Sequence, residues 1–450
     1  MRRVCWFRSD FRLTDNHMLH RVLKDMEEGD DLDFVFWLNP KYCDPFEVRH
    51  DYFFSTMRTF LDDLEAKGLG LRVLVAETED EFVKQLGEMD VLYFNAEYVE
   101  PFKQRDDRVI EALGEDVKVV RLLDRHLFHP DAFRTKSGDP YKVFTPFKKA
   151  AYAEQPPVPY EVDVDRLSQY IRSKNEQPSE LKELFKRCKR EWKGLGETEA
   201  KRRLTRFVND RMVDYDEKRD IPSIAGTSRL SPYLRTGVLS IRTITEQVLS
   251  VRQSRGRDTY YDELLWREFY YMVMAKFHGL KDQPLNDKYK TIEWEDNEEQ
   301  FEKWCNGETG YPIVDAAMRQ LNETGWMHNR LRMIVASFLS KHLLLDWRKG
   351  ERYFEQKLID YEAASNIGGW QWAASVGTDA VPYFRIFNPT TQSERFDPDG
   401  TFIRKYVPEL KHITDKSIHF PEPSDRDNYA MPLVDHKEAR ERALERFKAL

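Results

Sequence analysis

The sequence predicts an α/β domain, built on a doubly wound, parallel, five-stranded sheet of Rossmann-like type, followed by an all-α domain. Three observations carry this. Up to about residue 125, short apolar runs alternate with amphipathic stretches. Around residues 150–198 the texture changes to AEQPPVPYEVDVD and then to the Lys- and Glu-rich FKRCKREWKG. From about residue 199 onward the apolar residues recur at helical spacing.

Each element follows from local pattern. Residues 4–7, 34–38, 71–76, 91–94 and 117–122 are apolar runs too short for helices and read as strands. A helix over 52–67 aligns Phe53, Met57, Phe60 and Leu64 at spacings of four, three and four. Helices between successive strands require parallel pairing. No Gly-x-Gly-x-x-Gly follows the first strand, so the ordinary dinucleotide fingerprint is absent. Pro156, Pro157 and Pro159 open a surface connection. Helices are expected over 199–213, 260–274, 328–345 and 351–364. The resulting division is 1–128, an α/β domain; 129–198, an interdomain connection; and 199–450, a helical domain.

Composition narrows the function classes. The chain has 450 residues, 40% hydrophobic and 33% charged, which argues against disorder. No apolar run approaches the roughly 18–20 residues that span a bilayer, and Arg8 and Asp10 interrupt any signal-peptide core, so a cytoplasmic protein is expected. Cys5, Cys43, Cys188 and Cys305 form no C-x-x-C pair, which indicates neither a metal ribbon nor a disulfide framework. The net charge of −8 excludes a protein coated with basic residues, so any nucleic-acid contact must be a local patch. Seven of the ten tryptophans (Trp266, Trp294, Trp304, Trp326, Trp347, Trp370 and Trp372) fall between residues 266 and 372. An aromatic core would account for such a cluster, and so would a ligand that needs indoles.

Four segments could carry chemistry. In DELLWREFYY, Glu263, Trp266, Arg267 and Tyr270 recur at i, i+3, i+4 and i+7, which puts a carboxylate, an indole and a guanidinium on one helical face. GWMHNRLRM repeats the pattern with Trp326, Asn329, Arg330 and Met333, while Arg332 points elsewhere. In SNIGGWQWAAS a Gly-Gly break stands beside Trp370 and Trp372, which a helix would turn about 200° apart, one inward and one outward. An outward indole is costly unless it stacks on a ligand such as a nucleobase. GTSRLSPYL offers Thr227, Ser228 and Ser231 near a helix start, where a phosphate could bind or a hydroxyl could simply cap the helix.

As a set, WFRSDFRLTDN, GTSRLSPYL, WREFYY, TGYPIVDAAMRQL, TGWMHNRLRM, SNIGGWQWAAS, GTDA and PYFRIFNP resemble, in order, the DNA photolyase and cryptochrome family, over nearly the whole chain. The resemblance implies FAD in the helical domain, active as FADH⁻, and a possible light-harvesting second chromophore in the α/β domain. It implies that Tyr215, Thr227, Ser228, Arg229, Leu230 and Ser231 hold the FAD phosphates and ribityl chain, that Asp360 pairs with Arg332 beside the isoalloxazine, and that Asn366 serves flavin N5. Glu362 stands where many photolyases have Asp.

The substrate implied is a cyclobutane pyrimidine dimer in UV-damaged DNA. Glu263 corresponds to the acid that hydrogen-bonds the dimer, Trp266 and Trp372 to the indoles that wall it, and Met333 to the methionine beneath it. Arg219, Arg330, Arg385 and Gln392 match DNA-contact positions, with Arg267, Tyr270 and Asn329 on the same helical faces. The implied reaction is electron transfer from photoexcited FADH⁻ to the flipped-out dimer, ring splitting, and return of the electron. Trp370, Trp347 and Trp294 match an indole chain that carries electrons from the surface, and Trp304 is assigned to packing. Pro101 and Phe102 replace an Asn-Glu pair common in folate-binding members, leaving methenyltetrahydrofolate, a deazaflavin, FMN or an empty site as antenna alternatives. A monomer associated with a prokaryote-like nucleoid is expected, without metal. The competing readings are a signalling cryptochrome and a photolyase for (6-4) products.

Overall fold

The computed structural model describes residues 1–450. By its contacts the chain groups into two compact units, Met1–Pro140 with Lys148–Met212 and Ser228–Ala275, and Tyr141–Phe147 with Val213–Thr227 and Lys276–Leu450. This grouping draws its lines elsewhere than sequence texture does, since residues 228–275 count with the sheet.

In chain order the first elements are β1 (Arg2–Phe7), α1 (His17–Asp25), β2 (Asp31–Leu38), α2 (Val48–Ala66), β3 (Arg72–Val75), α3 (Glu79–Leu86), β4 (Val91–Asn95), α4 (Phe102–Leu113) and β5 (Lys118–Leu122). The five strands pair in parallel in the order β3-β2-β1-β4-β5, as expected for a doubly wound sheet. Period-two alternation supplies both faces. Val4, Trp6, Val35, Leu92 and Phe94 pack with Phe82 and Leu86 of α3 and Val109 of α4. On the opposite side Phe7 meets Phe34 and Phe60 of α2 at 5.0 and 5.5 Å between ring centroids.

Next come α5 (Phe144–Ala153), α6 (Val164–Tyr170), α7 (Ser179–Arg187), α8 (Gly196–Asp210), α9 (Tyr215–Lys218), α10 (Ser231–Thr236), α11 (Ile241–Ser250) and α12 (Arg255–Lys276). The stretch expected as an interdomain connection contains α5, α6 and α7, and Leu167, Leu181 and Leu184 of α6 and α7 are buried. A charge network also lies inside this unit. Asp124 accepts from Arg12 Nη2 at 2.6 Å and from Arg242 Nη2 at 2.7 Å, and Arg242 Nε reaches Asp15 at 2.8 Å. All four side chains are buried.

The remaining helices are α13 (Glu298–Asn306), α14 (Pro312–Thr324), α15 (Asn329–Ser337), α16 (Trp347–Lys357), α17 (Ala363–Ala373), α18 (Pro389–Phe396), α19 (Thr401–Tyr406) and α20 (His436–Lys448). Three sequence expectations are corrected here. The helix expected over 328–345 is α15 followed by one π-helical turn, Phe338–His342, and Trp326 lies outside it. The helix expected over 351–364 is two helices, interrupted where Asp360 turns to Arg332 and Glu362 caps α17. Gly368 and Gly369, expected as a break, lie within α17; backbone hydrogen bonding continues through them despite a propensity cost of about 1 kcal/mol each. No helix is long and apolar enough to cross a membrane.

Candidate flavin and lesion site

Within the second unit, His328 caps α15 by accepting from the backbone N–H of Arg330. This sets Arg330, Arg332 and Met333 on the first turns of the helix. Arg332 Nη2 stands 3.1 and 2.8 Å from the two oxygens of Asp360, and its Nε donates to Met327 O at 2.9 Å. Arg330 instead grips Asp220, Nε to Oδ1 at 3.2 Å and Nη2 to Oδ2 at 2.8 Å. Met333 is half-buried and Asn329 exposed.

The Glu362 carboxylate accepts from Ala364 N, Ser365 N and Ser365 Oγ at 3.2, 2.9 and 2.9 Å, so its charge caps the helix start. One turn on, Asn366 Nδ2 donates to Glu351 Oε1 at 3.1 Å. Glu351 also accepts from Tyr361 Oη at 3.0 Å. Burial pushes the Glu351 carboxyl above the usual carboxylate range. Sequence reasoning missed Glu351: it lies 15 positions from Asn366 on another helix, and local pattern cannot join them.

The tryptophans separate as α17 geometry requires. Trp370 is 2% exposed, whereas Trp372 is half-buried. The Trp370 ring lies against α16 at Gly350 and meets Trp304 edge-on at 6.0 Å, and Trp370 Nε1 has no acceptor. Trp304 is fully buried and donates to Val335 O at 3.2 Å, consistent with packing. Trp347 is buried; Trp294 is half-buried, its ring 6.3 Å from Phe447. Arg385 is exposed and Gln392 half-buried. Arg219 lies over the buried Tyr215 ring at 5.4 Å.

In the first unit, Glu263, Trp266, Arg267 and Tyr270 of α12 are all half-buried, while Leu264, Leu265, Glu268 and Phe269 between them are buried. Trp266 and Tyr270 lie 5.5 Å apart. Arg267 Nη1 donates to Arg125 O at 2.9 Å, so this guanidinium is held against the chain. Ser228 Oγ accepts from Tyr260 Oη at 3.0 Å, Arg229 is left-handed with φ 53°, and Leu230 is buried just before the exposed Ser231.

Each unit by itself offers donors suited to a flavin dinucleotide. In the second unit Thr227 presents a hydroxyl suited to phosphate oxygens, and Arg332 with Asp360 a fixed cation and anion; in the first, Ser228 and Ser231 present hydroxyls of the same kind. Asn366 holds a carboxamide whose orientation Glu351 sets. A side chain at Gly369 would meet no protein atom within 4 Å, which leaves space along that part of α17.

A flavin-holding helical unit and a doubly wound sheet together define the class, and comparison with known proteins supplies the family. Residues 3–163 match the model for DNA photolyase, and residues 260–449 match the FAD binding domain of DNA photolyase. A protein from Alkalihalophilus pseudofirmus named deoxyribodipyrimidine photo-lyase is 43% identical over 468 residues, covering 99% of this chain and 98% of its own. The protein of the same name from Escherichia coli is 38% identical over 473 residues, 99% of this chain and 98% of its own. Among solved structures, a bacterial class III photolyase from Agrobacterium tumefaciens aligns with TM-score 0.88 at 32% identity, covering 99% of this chain and 97% of that one. An archaeal photolyase from Sulfolobus tokodaii, solved with two FAD molecules, aligns with TM-score 0.87 at 31% identity over 100% of both chains. The chain belongs to the DNA photolyase family and carries that family's FAD-binding domain.

Proposed function

We propose that this protein repairs cyclobutane pyrimidine dimers in UV-damaged DNA under blue light. The observation that carries the reading is the split on α17, where Trp370 is buried and Trp372 is left half-exposed for a stacking partner. Photolyases are among the enzymes that extrude a nucleotide from the duplex, and damage lowers the cost of unstacking. When bound and reduced, the flavin supplies the photoexcited electron that opens the cyclobutane ring and receives it back.

The chain's own groups do the rest. Trp372 and Trp266 stack the lesion, Met333 lies against it, and Glu263 hydrogen-bonds a dimer carbonyl. Tyr215, Thr227, Ser228, Arg229, Leu230 and Ser231 hold the phosphates and ribityl chain. Glu351 turns the Asn366 amide donor toward itself and leaves the carbonyl oxygen for flavin N5. Trp370, Trp347 and Trp294 pass electrons inward from the surface. Arg219, Asn329, Arg330, Arg385 and Gln392, with Tyr270 on α12, contact the strand. In this reading residues 1–128 serve light harvesting, 129–198 connect, and 199–450 bind flavin and lesion, in a cytoplasmic monomer on DNA. The antenna site holds methenyltetrahydrofolate, a deazaflavin or FMN, or is empty.

The test is direct. Reduced, FAD-loaded protein under blue light should return thymine-dimer oligonucleotides to intact strands, scored by chromatography. Repair of (6-4) products alone, or no repair, would sink this reading and favour the (6-4) or signalling alternative. Fold by itself does not choose between these activities, which depend on the site. Trp372→Ala should weaken damaged-DNA binding by about fivefold to a hundredfold, since one base–aromatic stack is worth roughly 1–3 kcal/mol. Flavin absorbance should be retained; an equal loss of flavin would make Trp372 a packing residue.

A further inference from the structure

Asp220 stands beside two arginines assigned to DNA. Its carboxylate takes the Arg330 fork with both oxygens, at 3.2 and 2.8 Å, and Arg219 Nε lies 3.9 Å from Oδ1. The Arg330 guanidinium also lies over the Phe396 ring, 4.4 Å from its centroid. The pair is not sealed in the interior: the Asp220 and Arg330 side chains are 30% and 18% exposed.

A carboxylate that engages a guanidinium through two oxygens has the geometry of a phosphate on the same fork. Partial exposure lets one anion replace the other, because Asp220 regains water as it leaves and Arg330 is never left without a countercharge. We propose that Asp220 is an internal stand-in for a DNA phosphate. It holds Arg330 while no lesion is bound and is displaced by the strand when one is, so it sets the threshold between undamaged and damaged DNA. Undamaged duplex gains no stacking from an extruded lesion and cannot displace the carboxylate; dimer-bearing duplex can. Arg330 therefore contributes to the phosphate grip mainly when the lesion is engaged. The inference rests on the DNA-contact reading of Arg330.

Asp220→Asn removes the charge at nearly constant shape. Binding of the FAD-loaded protein to a thymine-dimer duplex and to its undamaged twin is titrated over a salt series. Affinity for the undamaged duplex should rise about threefold to tenfold, with a salt slope steeper by about 0.9 as one more phosphate is neutralised. The damaged-to-undamaged ratio should fall. Asp220→Glu should retain the wild-type slope, and the Asp220→Asn gain should vanish when Arg330→Gln is added. Thermal melting and flavin absorbance confirm that each variant is folded and loaded. An Asp220→Asn protein with unchanged slope and affinity, or with weaker binding, overturns the proposal and leaves an ordinary ion pair or a brace. Arg330→Gln alone separates the two readings. If it leaves damaged-duplex binding untouched, the DNA-contact assignment fails; if it weakens that binding while Asp220→Asn changes nothing, only the stand-in role fails.

Discussion

Gly350→Ala should destabilise the helical unit and disturb Trp370 together. A Cβ at this position would lie 2.1 Å from Trp370 Cη2 and 2.6 Å from Leu339 Cδ2. Trp370 and Leu339 are both buried, so neither can swing away without moving its own neighbours. Alanine normally favours a helix over glycine by about 0.5–1 kcal/mol, but overpacking a filled core costs roughly 1–3 kcal/mol or more, so the steric term wins. Unfolding followed by circular dichroism should show Tm lowered by about 2–4 °C for each kcal/mol lost. Because the displaced ring is the innermost member of the proposed indole chain, photoreduction of the bound flavin should slow as well. A melting point at or above wild type would show that α16 and α17 can separate freely.

Asp124→Asn should strongly destabilise the sheet unit. Two buried guanidiniums, Arg12 and Arg242, share this carboxylate, and the amide would leave them facing each other without its charge. Removing one partner of a buried ion pair costs roughly 3–5 kcal/mol, a large share of a typical stability of about 5–15 kcal/mol. The two arginines hold the Asp124 carboxyl well below the usual carboxylate range against the opposing effect of burial. Its contribution is therefore complete above the unfolded value of about 4 and is lost as pH falls through the lower folded value. Urea unfolding at several pH values should show wild-type stability declining in acid, with a shallower decline in the variant. Equal stability at neutral pH would mean that the network adds nothing net.

The five strands were legible because each is a short apolar run flanked by an amphipathic stretch, and observed limits depart from the expected ones by three residues at most. The face of α12 was legible for the same reason: spacing alone separates half-buried Glu263 and Trp266 from buried Leu264 and Leu265. Helix limits between residues 328 and 373 were not. There the breaks are decided by Asp360 pairing with Arg332 and by Glu362 capping α17, and Gly368 and Gly369 stay helical against their own propensity.

By itself the sequence determined the class of fold, the order of its motifs and the opposite facing of Trp370 and Trp372, because periodicity and helical geometry are local properties. The tertiary structure alone decided which charges meet. Arg12 and Asp15 of the N-terminal motif turn inward to Asp124 and Arg242, Arg330 takes Asp220, and Asn366 is held by Glu351. Such partners lie up to 227 positions apart, and a side chain's charge carries no record of which distant group the folded chain will bring against it.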